Sequence, residues 1–292
     1  MAIKLRYINE LGEELTFSRD TTFKLLNFEG IGGTQVKIQS EKAPFQDGET
    51  FLDSMLEPRD LSIHLGIFAK NQIELFENRR RLSKLFNPKW KNNRLVYTND
   101  FLSREIMCQV EAGPTYPSGR TTSFVGYQVA LINLVALNPF WQDIQDNKIE
   151  LVKVAPLLQF ELEIISSGIE IGTYQEGEII INNDSDVETP LRFEFPGPAT
   201  DPIIINETTG EFVKIITPLL ANERMVITTA FGNKKVEIHK EDGAIINAFQ
   251  YIDLNSIFFQ LRPGRNVLRF NAAAGSTNAI IEISYKRKYI GI

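Results

Sequence analysis

The chemistry open to this chain is narrow. Gly30-Ile31-Gly32-Gly33 has the glycine density of a phosphate cradle, where backbone N–H groups close on an anion because no Cβ intervenes. The sixth position of a G-x-G-x-x-G pattern is Gln35 and no helical pattern follows, so the loop reads as a flexible turn rather than a nucleotide site. Asn182, Asp184 and Asp186 have the alternation that opens a calcium loop. Val187 stands where that loop needs glycine and Phe193 where it needs a bidentate glutamate, which leaves a solvated turn. His64 and His239 lie in separate strands with no nucleophile or metal partner beside either, and read as surface or edge histidines. Cys108, between Met107 and Val110 in a strand, reads as a packed thiol.

The remaining candidates are charged or aromatic. Glu161 and Glu163 share one face of one strand, whereas a glycosidase needs two carboxyls converging from separate elements. Sugar sites stack an exposed ring on the sugar. Trp90 and Trp141 both fall in or at the edge of the first half, and the second half offers only tyrosines (Tyr174, Tyr251, Tyr285, Tyr289), so packing is the expected work of these rings. Arg79-Arg80-Arg81, in an acidic chain, fits salt bridges between elements or subunits better than a polyanion site. No catalytic, cofactor-binding or metal-ligating residue is expected, and no cofactor.

The elements that would hold these residues are mostly strands. Leu61, Ile63, Leu65 and Ile67 alternate cleanly, with His64 on the opposite face. Earlier, Ile3 to Ile8 alternates before a polar turn at Gly12, and Phe23 to Phe28 and Val36 to Ser40 flank the glycine loop. One helix is predicted between an Asn71 cap, supported by Glu74 three residues on, and Pro88. Its apolar face of Leu75, Leu82 and Phe86 is interrupted by the arginines, so one of them must snorkel or meet an acidic partner. Strands over Arg94–Asn99, Arg104–Ala112 and Ser123–Val135 follow, then Leu137-Asn138-Pro139-Phe140-Trp141, read as a plug at a domain edge.

The polar stretch Gln142–Glu150 divides a first domain, residues 1–143, from a second, residues 150–292. Beyond it short strands recur: Phe160–Ile165, Gly177–Asn182, Leu191–Phe195, Pro202–Asn206, Glu211–Ile216, Met225–Thr229, Val236–His239 and Ala279–Tyr285. A further pair is read around Pro263-Gly264, with Phe258–Leu261 as the strand before the turn. Such spacing argues a β-sandwich or jelly roll.

Bulk composition narrows the function classes. Of the 292 residues, 43% are hydrophobic and 23% charged, as in ordinary globular domains, and a formal net charge of -6 argues against nucleic acid as a bound ligand. With a single cysteine no internal disulfide forms. The N-terminus alternates apolar and charged residues instead of offering a signal-peptide core, and no apolar run approaches a membrane span, so a soluble protein with no membrane partner is expected.

Further motifs recur in a fixed order. In the first domain they are Phe28-Glu29-Gly30, Asp47-Gly48, Pro58-Arg59-Asp60-Leu61-Ser62-Ile63, the arginine-rich helix ending Leu85-Phe86-Asn87-Pro88, and Leu137 to Trp141. In the second they are Ile205-Asn206-Glu207-Thr208-Thr209-Gly210-Glu211, Asp242-Gly243, and Ser256 to Leu261 with Pro263-Gly264-Arg265-Asn266. By their order and spacing the chain resembles, over nearly its whole length, the distal tail proteins of siphoviruses, phages with long non-contractile tails.

The resemblance implies a structural protein without enzymatic activity. The implied fold is mainly β: an N-terminal tail-tube-like β-sandwich with one α-helix and an extended hairpin, then a C-terminal galectin-like β-sandwich. Six copies would form a homo-hexameric ring at the virion tail tip, assembled in the host bacterial cytoplasm. The ring would join the major tail tube protein to the tail-associated hub protein while DNA passes through without specific binding. In some family members the outer domains carry receptor-binding proteins. The segment Gly33–Pro58, polar and without a strong core pattern, lies where the family's hairpin lies and is expected to supply much of the ring contact. Two other classes compete. A carbohydrate-binding adhesin is the first, but the chain has no room for an inserted sugar-binding module, and no tryptophan follows Trp141 to stack on galactose. A cell-wall hydrolase is the second, opposed by the scarcity of histidine and cysteine.

Overall fold

The computed structural model describes residues 3–119, 121–152, 177–274 and 280–292. The strand read at Phe160–Ile165, with Glu161 and Glu163, lies outside them, as do Tyr174 and Ala279. The chain divides into two compact units, Met1–Ile144 with Tyr289–Ile292, and Gln145–Lys288. Residues 145–149 thus go with the second unit, and the last four residues with the first.

The first unit contains β1 (Lys4–Ile8), β2 (Glu14–Phe17), β3 (Phe23–Glu29), β4 (Val36–Glu41), β5 (Thr50–Leu56), β6 (Arg59–Phe68), α1 (Gln72–Leu85), β7 (Asn93–Thr98), β8 (Ser103–Val110), β9 (Ser123–Phe124), β10 (Tyr127–Ala136) and β11 (Trp141–Gln142). Its main sheet runs in the order β2-β1-β7-β8-β10-β6-β3. β8 and β10 share a ladder of only two residue pairs, Val110 with Leu134 and Gln109 with Val135. The inward residues of the strands on either side fill one core, into which α1 sends Leu75, Leu82 and Leu85. The alternation read in the sequence sets this core, since Leu61, Ile63, Leu65 and Ile67 of β6 are all buried. Asn71 caps α1, accepting the Glu74 N–H at 2.9 Å, while the Glu74 carboxylate reaches back to the Lys70 N–H at 2.7 Å.

In the second unit β12 (Asn147–Val152), β13 (Gly177–Asn183), β14 (Arg192–Pro196), β15 (Ala199–Thr200), β16 (Ile203–Asn206), β17 (Glu211–Lys214), β18 (Pro218–Leu219), β19 (Arg224–Thr228), β20 (Lys235–His239), β21 (Ile245–Asn247), β22 (Gly264–Asn271) and β23 (Ile280–Tyr285) follow in turn. A six-stranded sheet, β12-β23-β14-β19-β20-β21, and a four-stranded sheet, β13-β22-β16-β17, supply one shared core. Phe193, Phe195, Phe259 and Phe270 form its aromatic centre, with ring centroids 5.1–6.3 Å apart.

Three elements differ from the sequence reading. Ser123–Val135 is a hairpin instead of one strand: Gly126 at φ +77 turns the chain so that Phe124 pairs with Tyr127. Asn147–Val152, read mostly as a polar boundary, is a strand because it pairs residue for residue with β23. Phe258–Leu261 forms no strand before Pro263-Gly264. Phe259 and Leu261 are buried in the sandwich core, but Leu261 makes only an isolated bridge to Thr189. There side-chain burial fixes the chain without a ladder, and the strand after the turn begins at Gly264 itself.

Candidate assembly surface

The glycine loop binds a charge of the sign opposite to a phosphate. Gly30, at φ +107, lies so close to β6 that a Cβ there would stand 2.5 Å from Leu61 Cδ2 and 2.7 Å from the Asp60 carbonyl oxygen. Close approach therefore demands the glycine. The loop turns carbonyls inward, and the buried Arg59 guanidinium takes them. Its Nη1 donates to Gly30 O at 2.9 Å and to Gly32 O, its Nε to Pro139 O at 2.7 Å, and its Nη2 to Ile290 O. The Trp141 indole N–H adds a bond to Gly30 O at 3.3 Å. Burial lowers the Arg59 pKa, yet a guanidinium keeps its proton in proteins, so the loop encloses a permanent cation satisfied by carbonyls. The sequence contained the signal. Arg59 shares the parity of Leu61, Ile63 and Leu65, and so falls on the buried face of β6.

The C-terminal residues close the same region. The Arg104 guanidinium lies 3.8 Å from the Tyr289 ring centroid and pairs with Asp143 at 2.6 Å, while the Tyr289 hydroxyl donates to Asp143 at 3.3 Å. The Ile292 N–H donates to Ile31 O at 3.0 Å, and Ile292 packs against the core. The loop preceding β4, Arg59 following β5 and the chain terminus together form the base of one hairpin.

That hairpin, β4 with β5, is a two-stranded sheet that pairs with no other described strand. Every residue of its strands is exposed except Leu56, which is half-buried. The ladder sets Val36 opposite Leu56 and Ile38 opposite Ser54, then skips Leu52 so that Phe51 faces Ser40. A slip of one residue exchanges faces, so this bulge brings Phe51 to the Val36 and Ile38 side. Val36, Ile38, Phe51 and Leu52 are 49–64% exposed. At the tip Phe45 is fully exposed with φ +65.

A second exposed apolar surface lies at the far end of β6. Phe124 stacks on Tyr127 at 4.6 Å, Tyr127 meets Phe68 edge-on at 4.9 Å, and the Lys24 ammonium sits 4.6 Å over Phe68. The rings of Phe68 and Tyr127 rest over Gly66, where a Cβ would meet both at 3.1 Å. Beside them Val125 is 81% exposed. Sequence reading passed over this patch because its rings come from three elements.

The other sequence candidates serve packing, turns or ion pairs within their own units. Arg79 meets a ring where an acid was one expected partner: its guanidinium is 4.4 Å from the Tyr116 centroid, and the Tyr116 hydroxyl donates to Arg79 O at 2.9 Å. Asp184 pairs with Arg287 at 3.0 Å. The turn around it is organised by buried Asn183, whose amide donates to Leu261 O at 3.1 Å and whose oxygen accepts from the Ser185 hydroxyl at 2.6 Å. His239 contacts Glu237 at 3.1 Å, and half-buried His64 faces Leu131 and Asn27 across the β6 ladders. Cys108 is buried, which pushes its thiol pKa up to about 12. Trp141 is fully buried and Tyr285 nearly so. Half-buried Trp90 donates to Lys84 O at 3.4 Å, and Tyr251 remains exposed. Among the described residues no three histidine, cysteine or carboxylate side chains gather as metal ligands do, and no helix is long and apolar enough to cross a membrane.

Residues 10–136 match the phage tail protein RIFT-related domain, and residues 184–289 match the C-terminal domain of siphovirus-type tail components. The chain belongs to the siphovirus distal tail proteins. No curated protein sequence matches it. Among solved structures it is similar to the Dit protein of phage SPP1, described as a paradigm of the hub adsorption apparatus in phages infecting Gram-positive bacteria. The identity is 13% and the TM-score 0.69, over 97% of this chain and 98% of that one. It is also similar to a chain of the phage p2 baseplate in its activated conformation with Ca, at 12% identity and TM-score 0.54, over 100% and 99% of the two chains; the Sr form gives the same values. At such identities the likeness is one of fold. As the resemblance implied, this distal tail protein is mainly β, a tail-tube-like β-sandwich with one helix and an extended hairpin followed by a galectin-like β-sandwich. Its role is structural, at the tail tip.

Proposed function

We propose that six copies of this distal tail protein close into a ring joining the last layer of tail tube protein to the tail-associated hub protein. The first domain forms the ring, the second is the one that could carry a receptor-binding protein, and DNA passes through the channel without specific contacts. Assembly takes place in the host bacterial cytoplasm. The role needs no catalytic residue and no cofactor. The net charge of -6 supports passage without sticking, because an acidic wall repels the phosphate backbone.

The observation that carries this reading is the β4–β5 hairpin. An isolated two-stranded hairpin is marginal in water, and this one displays apolar side chains that its own unit leaves uncovered. A ring also requires a heterologous contact whose rotation closes, and an arm held stiffly at its base suits one half of that contact. Deleting Lys42–Gly48, the tip, is expected to leave a folded monomer that no longer forms rings in mass photometry. Rings of unchanged size would remove the hairpin from the contact.

A further inference from the structure

We infer that the hairpin's apolar face docks on the aromatic patch around Phe68, Phe124 and Val125 of a second copy of this chain. The inference rests on the ring reading above and names the surface that receives the arm.

Three observations select this occupant. The first is reach. The hairpin leaves at the Arg59 end of the ten-residue β6 and the patch lies at its Phe68 end, about 30 Å of strand away. The residues of the hairpin's apolar face lie within seven residues of its base, Ile38 four from Thr34 and Phe51 seven from Pro58, or about 23 Å, so a copy's own apolar face falls short of its own patch. Donor and acceptor at opposite ends of one subunit are what a head-to-tail contact needs.

Charge is the second. Between residues 34 and 58 stand Glu41, Asp47, Glu49, Asp53 and Glu57 against Lys37 and Lys42, so the arm is acidic. The patch is flanked by Lys24, over the Phe68 ring, while Lys70, next to the Ala69 N–H that bonds Gly126 O at 2.8 Å, has the Glu74 carboxylate on its own N–H. Among the other exposed apolar residues of the first unit, Ile73 and Phe76 on α1 are interleaved with Glu74 and Glu77, which repel such an arm.

Apolar surface is the third. Val36, Ile38 and Phe51 make one uncovered face, with Leu52 exposed at its bulge, and Phe68, Phe124 and Val125 make another. Contiguous exposed apolar patches on soluble chains mark interaction sites, and the first unit carries these two among its exposed apolar residues.

Complementation of two variants tests the pairing. Ile38→Asp with Phe51→Asp disables the arm, and Phe124→Asp with Val125→Asp disables the patch; all four positions are exposed, and circular dichroism verifies that both variants fold. Each variant alone is expected to need about 100-fold more protein than the wild type to form rings. Mixed in equal amounts they retain one intact arm and one intact patch, so mass photometry should show dimers and no rings. Wild-type rings with a patch variant that still closes would overturn this pairing and leave the ring reading standing. So would a mixture that remains monomeric. A wild-type chain that never closes at any concentration would overturn both.

Discussion

The guanidinium of Arg59 donates to the backbone carbonyl of Ile290, 231 positions later in the chain. With its bonds to Gly30, Gly32 and Pro139, this makes one side chain the joint of three segments: the loop entering the hairpin, the loop entering β11 and the chain terminus. A guanidinium suits the position because it offers five donors in a rigid fork and needs no carboxylate if carbonyls surround it. The hairpin arises from the first unit at this joint, so its direction depends on the last residues of the chain.

Arg59→Met should destabilise the first unit by about 3 kcal/mol, since the carbonyls lose a donor in a buried site. Truncation after Lys288 should cost a similar amount, because it removes the Ile290 carbonyl, the Tyr289 ring over Arg104 and the Ile292 contacts. Combined, the two changes should cost less than their sum, as neighbours in one network do. Both tryptophans, Trp90 and Trp141, lie in the first unit, so denaturant unfolding followed by tryptophan fluorescence reads it selectively. Strict additivity would show that Arg59 and the terminus act separately.

Much of this architecture was legible where burial and period coincide. The alternation Leu61-Ile63-Leu65-Ile67 gave β6 its inner face, and Asn71 with Glu74 gave α1 its start. The misses have physical causes. Phe258–Leu261 has a strand's composition, but its apolar side chains enter the core from irregular backbone. Asn147–Val152 looked polar because an edge strand keeps one face wet, and its pairing with β23 is a long-range fact. Arg59 was legible by parity alone. The hairpin was placed by resemblance, and the bulge that moves Phe51 onto the Ile38 face depends on a register no local pattern specifies.

Phe45 holds a left-handed backbone conformation at the hairpin tip with its ring fully exposed. A non-glycine residue there costs on the order of 1 kcal/mol, and the monomer recovers none of it through burial. Phe45→Gly is therefore expected to change unfolding free energy by less than about 1 kcal/mol, the relieved strain being offset by the freer unfolded chain. If the ring is an anchor for an assembly partner, the concentration at which rings form should rise at least about tenfold. A mass photometry titration that superimposes on the wild type would show that the ring of Phe45 touches nothing.

Cys108 gives the first unit a defined alkaline sensitivity. Burial pushes its thiol up to about 12, whereas an unfolded thiol ionises near about 8.5. The folded state thus holds a proton that the unfolded state releases, and this stabilising contribution is complete below about pH 8.5 and declines as pH rises toward 12. Tyr7, raised first by burial and then by the charge Cys108 would carry, adds a second decline that begins near the ordinary tyrosine value of about 10. Between about pH 9 and 10 the wild type should lose stability at up to about 1.4 kcal/mol per pH unit more steeply than Cys108→Ala. The comparison of slopes is unaffected by the small cavity the substitution leaves. Native protein should also resist a thiol reagent at pH 8 and react once unfolded. Rapid labelling of the folded chain, or parallel alkaline slopes, would mean that the thiol reaches solvent.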